Sequence, residues 1–299
     1  MERIFHYTIS EKEHNMPIDT FLRSMGYSRQ NITALKTMPE SILVNGRWEY
    51  VIYKLQMGET LTIHIQETES SPNIVPVSLP LSIVYEDEDI LVVNKPAGMS
   101  IHPSQNHYDN TLANAVMHYY HSQNIPYTFR CINRLDQDTT GLTILAKHMY
   151  SASILSDMVA KREIKREYLA IVSGTGLPAE GTVNAPIARL DGSTIERVVD
   201  EINGAPSVTH YKVLLEAGDC SLLSLWLETG RTHQIRVHMK HIGYPLLGDF
   251  LYHPDMRYIK RQALHSHRLT FAHPITKERL VFEAPLPEDM RFVYHFISS

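Results

Sequence analysis

Asn133-Arg-Leu-Asp136-Gln-Asp138-Thr-Thr-Gly141-Leu-Thr-Ile-Leu-Ala-Lys147 runs a polar turn straight into an apolar strand. Short polar side chains and a glycine let the backbone bend tightly before the run from Leu142 to Ala146. A turn of this kind aims a carboxylate, Asp136 or Asp138, from the end of a strand. Residue types alone leave two roles for such a carboxylate, capping the turn or doing chemistry. Outward from this stretch, strand-like and helix-like segments interleave. Upstream lie strands at 81–85 and 90–94 and a helix over 112–120. Downstream come a helix with Ile154, Leu155, Met158 and Val159 on one face, strands at 167–172, 208–215 and 222–227, and a helix after Thr232. Without strict strand–helix alternation, the expected class is α+β, a mixed and mainly antiparallel sheet flanked by helices and loops.

The N-terminal part reads as a separate small module. Ile18, Phe21, Leu22 and Met25 repeat at helical spacing, Gly26 ends that helix, and Ser28 is a cap for a second one carrying Ile32 and Leu35. Asn45-Gly46 between two strand-like runs predicts a hairpin, and 61–65 predicts a further strand. Residues 67–80 hold three prolines and little periodicity, which predicts an extended linker. The expected organisation is therefore a module at 1–66, a linker at 67–80 and a main domain at 81–299.

Composition excludes several classes. The chain has 299 residues, 43% hydrophobic and 20% charged, which rules out collagen-like and wholly disordered readings. Two cysteines, Cys131 and Cys220, make neither a disulfide framework nor a Cys-based zinc cluster. The longest strongly apolar stretch, 222–227, is too short to span a bilayer, and the start lacks the build of a signal peptide. A cytoplasmic protein without membrane contact is expected. The net charge of −5 does not announce a nucleic-acid partner, yet cations cluster at 161–166, 231–241 and 257–261.

Three further segments carry candidate chemistry. Gly230-Arg231-Thr-His233-Gln-Ile-Arg236-Val-His238 places a glycine before a helix start, with Arg231 as a fixed cation for a carboxylate or phosphate. The spacing of His233, His238 and His241 argues against a metal site. Asn94-Lys95-Pro-Ala-Gly98 fixes a turn after a buried strand and carries a lysine. Lys165-Arg166-Glu-Tyr168-Leu-Ala sets a tyrosine on a strand behind two cations.

Taken in chain order, Asn-Lys-Pro-Ala-Gly, Arg-Leu-Asp-x-Asp-Thr-Thr-Gly, Lys-Arg-Glu-Tyr-Leu-Ala and Gly-Arg-Thr-His-Gln-Ile-Arg-Val-His resemble the RluA-type pseudouridine synthases. The likeness runs from about Leu81 onward and includes Leu264-His-Ser-His-Arg-Leu. Residues 1–66 resemble the S4-type RNA-binding domain. The resemblance implies an isomerase that breaks the uracil N1–ribose bond of a flipped-out uridine and rejoins the base through C5, with no metal and no cofactor. It implies Asp136 as the catalytic carboxylate, attacking C1′ or removing the 2′ proton, and Arg231 as the arginine paired with it. It implies Tyr168 as the ring that stacks on uracil and helps remove the C5 proton, and Arg134 as the side chain reaching into the gap the base leaves. Lys95, Lys165 and Arg166 are then expected at the RNA backbone, with Arg29 and Lys36 on the N-terminal module. The implied partner is structured RNA, ribosomal before transfer RNA; a monomer is expected.

Asn133 stands where many relatives have His. Residues 1–70 hold 7 Lys and Arg against 9 Asp and Glu, so the module is not basic. The rival reading is a catalytically silent RNA-binding ribosome-assembly factor. A glycosidase-like carboxylate pair is a third, opposed by the i, i+2 spacing of Asp136 and Asp138, which points them to opposite faces.

Overall fold

Helical spacing and hairpin chemistry build the N-terminal elements as expected. The computed structural model describes residues 1–105, 107–291 and 293, so 106, 292 and 294–299 of the expected main domain lie outside the described residues. Strand β1 (Glu2–Thr8) comes first, then helices α1 (Ile18–Ser24) and α2 (Arg29–Thr37), and strands β2 (Ile42–Val44), β3 (Arg47–Trp48) and β4 (Thr60–Gln66). Helix α1 buries Ile18, Phe21 and Leu22. Ser28 caps α2: its hydroxyl accepts the Asn31 N–H at 3.1 Å while Asn31 Oδ1 accepts the Ser28 N–H at 3.0 Å. Asn45 and Gly46 both take positive φ, at 50° and 79°, making the tight β2–β3 hairpin. These strands form a sheet in the order β1-β4-β2-β3. Strand β1 escapes a periodicity search because only Phe5 within it is buried. No helix or strand falls in 67–80.

The residues gather into two compact units that interleave along the chain. The first holds Met1–Val92, His102–Ile132 and Ile144–Lys161; the second holds Val93–Ile101, Asn133–Thr143 and Arg162–Ser299. The units therefore cut across the chain-order division at 66 and 80. The first adds strand β5 (Ile83–Glu86), part of β6 (Ile90–Lys95), helix α3 (Leu112–His121), part of β7 (Thr140–Ala146) and helix α4 (Met149–Ala160). Within it, Arg3 Nε donates to Asp89 Oδ1 at 2.9 Å, and His148 Nε2 lies 2.9 Å from the same oxygen. The rings of Tyr27 and Tyr150 stack at 3.8 Å. Burial pushes the Asp89 carboxyl up, but hydrogen bonds from His148 and Arg3 win and hold it at about 2. Residues before the linker are thus tied to residues well beyond it.

The second unit contains strands β8 (Lys165–Ser173), β9 (Glu180–Asn184), β10 (Ile187–Arg189), β11 (Arg197–Val199), β12 (Val208–Ala217) and β13 (Cys220–Leu227), helix α5 (Gln234–His241), and strands β14 (Leu264–Ala272) and β15 (Arg279–Glu283). Its sheet runs β7-β14-β8-β13-β12-β9, with β15 paired to β14. The β7–β14 pair is parallel, whereas β14–β8, β8–β13, β13–β12, β12–β9 and β14–β15 are antiparallel. This is the mixed, mainly antiparallel α+β architecture expected. Tyr168, Ala170, Val172, Leu223 and Leu225 from the sheet pack with Ile235 and Met239 of α5. The parallel pairing explains Gly141: at φ +110°, a Cβ there would sit 2.2 Å from the Ser266 carbonyl oxygen of β14. Among the described residues no helix is long and apolar enough to cross a membrane.

Candidate active site

The turn before β7 is held from behind by buried cations. The Thr139 N–H donates to the Asp136 carbonyl at 3.1 Å and closes the turn. Lys95, only 1% exposed, uses its three ammonium protons on the carbonyls of Pro96, Met99 and Gln137 at 2.9, 2.8 and 2.8 Å. Burial pulls this ammonium down to about 7, against the upward pull of Asp138 and Asp136. Arg261 takes the next carbonyl: Nη1 donates to Asp138 O at 3.1 Å, while Nε and Nη2 grip the Asp289 carboxylate at 2.7 and 2.8 Å. Asp138 itself accepts the Gly98 N–H at 3.2 Å. Asn133 Nδ2 donates to Leu142 O at 3.1 Å, and Thr143 Oγ1 donates back to Asn133 O at 2.6 Å. Two backbone carbonyls in succession are therefore pinned, and the Asp136 side chain projects from a fixed frame.

Asp136 is anchored by one oxygen only. Its Oδ2 accepts Arg236 Nη1 at 3.0 Å, with His233 Nε2 at 3.8 Å. Oδ1 has no hydrogen-bond partner among the described residues. The rest of the Arg236 guanidinium is bidentate on Asp249, Nε to Oδ2 at 2.7 Å and Nη2 to Oδ1 at 2.8 Å. Asp249 is fully buried and also accepts the N–H groups of Leu251 and Tyr252 at 3.1 and 3.2 Å. Burial works against the Arg236 cation, yet Asp249 and Asp136 raise its pKa above the ordinary arginine value. One guanidinium thus serves two carboxylates, a closed one behind and an accessible one in front.

Arg231 is not the partner of Asp136. Its side chain is exposed and reaches the Pro206 carbonyl at 3.4 Å, while its N–H donates to Gln234 Oε1 at 3.0 Å. It precedes α5, so the helix turns its side chain elsewhere; Arg236, third residue of α5, points at the turn instead. A signal for Arg236 exists in the sequence. A cation in the first turn of a helix opposes the helix dipole, so an arginine there calls for a carboxylate to hold it.

Lys95 also departs from expectation. With its ammonium buried against three carbonyls, it holds the turn and offers nothing to an RNA phosphate. Tyr168 is 5% exposed on β8, opposite Ser266 of β14. Burial raises its phenol pKa, Arg166 opposes this, and Asp136 adds to it, so the ring stays neutral. Arg166 lies against the Gly230 turn, where a side-chain carbon would come within 3.3 Å of Nη1, and its buried Nε lacks a hydrogen-bond partner among the described residues. Arg134 and Lys165 are exposed, as are Arg29 and Lys36 on α2. Both ring nitrogens of His238 are engaged, by Thr209 Oγ1 at 2.8 Å and Ala185 O at 2.9 Å, which leaves it no lone pair for a metal.

Residues 89–241, just over half the chain, match the family model described as RNA pseudouridylate synthase. The chain belongs to that family. It is an RNA pseudouridine synthase, an isomerase. The match contains Lys95, Asp136, Tyr168, Arg231 and Arg236, whereas Asp249 and Arg261 lie beyond it. Among curated relatives, "Uncharacterized RNA pseudouridine synthase YjbO" of Bacillus subtilis (strain 168) is 41% identical over 92% of this chain and 97% of that protein. "Ribosomal large subunit pseudouridine synthase D" of Escherichia coli (strain K12) is 38% identical over 95% of this chain and 91% of its own. Of solved structures, "Human RNA Pseudouridylate Synthase Domain Containing 1" superposes with a TM-score of 0.57 at 30% identity, covering 69% of this chain and 83% of that one.

Proposed function

We propose that the enzyme converts specific uridines of large-subunit ribosomal RNA to pseudouridine with Asp136 as its catalytic carboxylate. The observation that carries this reading is the asymmetry at Asp136. Oδ2 is tied to Arg236, and Oδ1 is left to act at the ribose of a flipped uridine, by attack on C1′ or removal of the 2′ proton. The Arg236 guanidinium, 3.0 Å from Oδ2, holds the carboxylate in place through a charge-assisted hydrogen bond, as either route needs. The N1–C1′ bond breaks, the base turns, C5 bonds to C1′, and the C5 proton is exchanged for one on N1, so no redox partner enters. Neutral Tyr168 fits a stacking role against the uracil ring. Because burial raises its phenol, it suits removal of the C5 proton less well.

The ribosomal target is supported by similarity to a relative whose name states that substrate. Arg134, Arg166 and Lys165 are proposed at the RNA backbone and the vacated base position. Residues 1–66 are proposed as an S4-like module that presents Arg29 and Lys36 from α2. The enzyme is proposed to work as a cytoplasmic monomer, without metal or cofactor. Pseudouridine mapping of total RNA from cells with and without the protein tests the target. One or a few large-subunit sites should vanish and return with the parent gene but not with Asp136→Asn. Loss of transfer-RNA sites alone would refute the ribosomal assignment, and an unchanged map with unchanged activity in extracts would favour a silent binding protein.

A further inference from the structure

His233 is held in a costly conformation next to Asp136. Its backbone is left-handed, φ 58° and ψ 18°, at the N-cap position of α5, yet its side chain makes no capping hydrogen bond. A residue other than glycine in that region carries roughly 1–3 kcal/mol of strain, so the placement calls for another reason. The imidazole is spent on two contacts. Nδ1 lies 2.9 Å from Tyr252 Oη, and Nε2 lies 3.8 Å from Asp136 Oδ2.

Tyr252 sets the direction of the first contact. Its oxygen accepts the Arg197 N–H at 2.9 Å, which uses lone-pair capacity, and the ring is 6% exposed. A phenol has one proton to give. Were His233 Nδ1 the donor, the Tyr252 proton would be left without an acceptor in a buried place. With Tyr252 as donor, its hydroxyl proton and Nδ1 satisfy each other. Nδ1 is then the bare nitrogen, and the imidazole proton must stand on Nε2, facing Asp136.

We propose that Tyr252 and His233 form a positioning pair that fixes the Nε2–H tautomer of His233 and directs that N–H at the anchored oxygen of Asp136. The inference rests on the reading of Asp136 as the catalytic carboxylate. Its effect is to hold Oδ2 from a second direction, beside Arg236, so that Oδ1 keeps its aim at the substrate. A carboxylate shift of less than about 1 Å brings the 3.8 Å approach into hydrogen-bond range. The charged groups around this imidazole are Asp136, Arg236, Asp249 and Arg197, and burial is the largest influence that keeps it neutral.

The test is nitrogen-15 spectroscopy of the full-length enzyme labelled at histidine, with the His233 signals identified by their loss in His233→Gln. The expected spectrum shows a protonated Nε2 and a bare Nδ1, and the Tyr252→Phe variant should lose that single-tautomer signature. An Nδ1-protonated ring in the parent overturns the proposal. Kinetics supply the second arm. Tyr252→Phe and His233→Ala should lower kcat about tenfold, which is about 1.4 kcal/mol, with KM for RNA little changed. His233→Gln, whose amide restores an N–H of similar reach, should recover part of the loss. The expected tautomer together with parent kcat in His233→Ala overturns the positioning role. An active Asp136→Asn enzyme overturns the carboxylate assignment itself, whichever tautomer is found.

Discussion

Behind the Asp136 turn, Lys95, Arg236 and Arg261 are 1%, 2% and 7% exposed, and all three donate to protein carbonyls or carboxylates. In the same sequence motifs, Arg134, Lys165 and Arg231 are exposed, and among the described residues Arg231 alone of the three reaches a protein acceptor with its side chain, a single carbonyl. Cations that look alike in a motif therefore divide by burial. A buried cation must spend its donors on the protein, since an unpaired one would be intolerably desolvated. An exposed one is free of that constraint. The buried group shapes the turn, and the exposed group is the one proposed for RNA.

Substitution should separate the two groups. Arg236→Ala leaves the fully buried Asp249 without its bidentate partner, a loss of roughly 3–5 kcal/mol. Urea unfolding should show it, along with at least a hundredfold fall in pseudouridine formation. Arg231→Ala should leave the unfolding midpoint unchanged, and equal destabilisation by the two variants would erase the distinction. Lys95→Met strands three carbonyls, so a loss of about 3 kcal/mol is expected, with kcat falling more than RNA affinity. A Lys95→Met enzyme that folds normally but binds RNA poorly would move Lys95 to the exposed group.

The buried side should also respond to acid. His265, 2.8 Å from Thr140 Oγ1 at the start of β7, is pushed down to about 4, chiefly by burial, with the Ala284 carbonyl opposing. A histidine depressed in the folded state stabilises above its ordinary value and loses that contribution as pH falls toward the folded one. Stability should therefore drop by about 2 kcal/mol between pH 7.5 and 5. His265→Gln should flatten that slope, and a parent enzyme equally stable at both values would contradict it. The smallest effects belong to the exposed cations. Arg134→Ala and Lys165→Ala should each leave stability intact and reduce the salt dependence of RNA binding by about 0.7 in slope.

Much of the fold is legible in the sequence through caps, turn residues, one helical period and apolar runs. The Ser28 cap, the Asn45-Gly46 hairpin, the one-sided apolar face of α4 and the mostly apolar runs of β7, β8 and β13, buried on both faces, all show it. Strand β1 does not, with Phe5 its only buried residue. Strand β14 is missed because its buried face includes His265 and Ser266, which read as polar. At the site, the Asp136 turn and Tyr168 are legible through residue types and order. The arginine that meets Asp136 is legible only once the start of α5 is fixed, because that start decides between Arg231 and Arg236. Asp249, Tyr252 and Arg261 lie too far along the chain for spacing to join them to the turn. The burial of Lys95, which converts an apparent phosphate contact into a brace, leaves no trace in its motif.

The most direct test of the account is single-turnover pseudouridine formation by purified Asp136→Asn on large-subunit ribosomal RNA, run beside RNA binding and thermal melting. The account predicts retained folding, because Arg236 keeps Asp249, together with retained binding and no product. Turnover near the parent rate would contradict it.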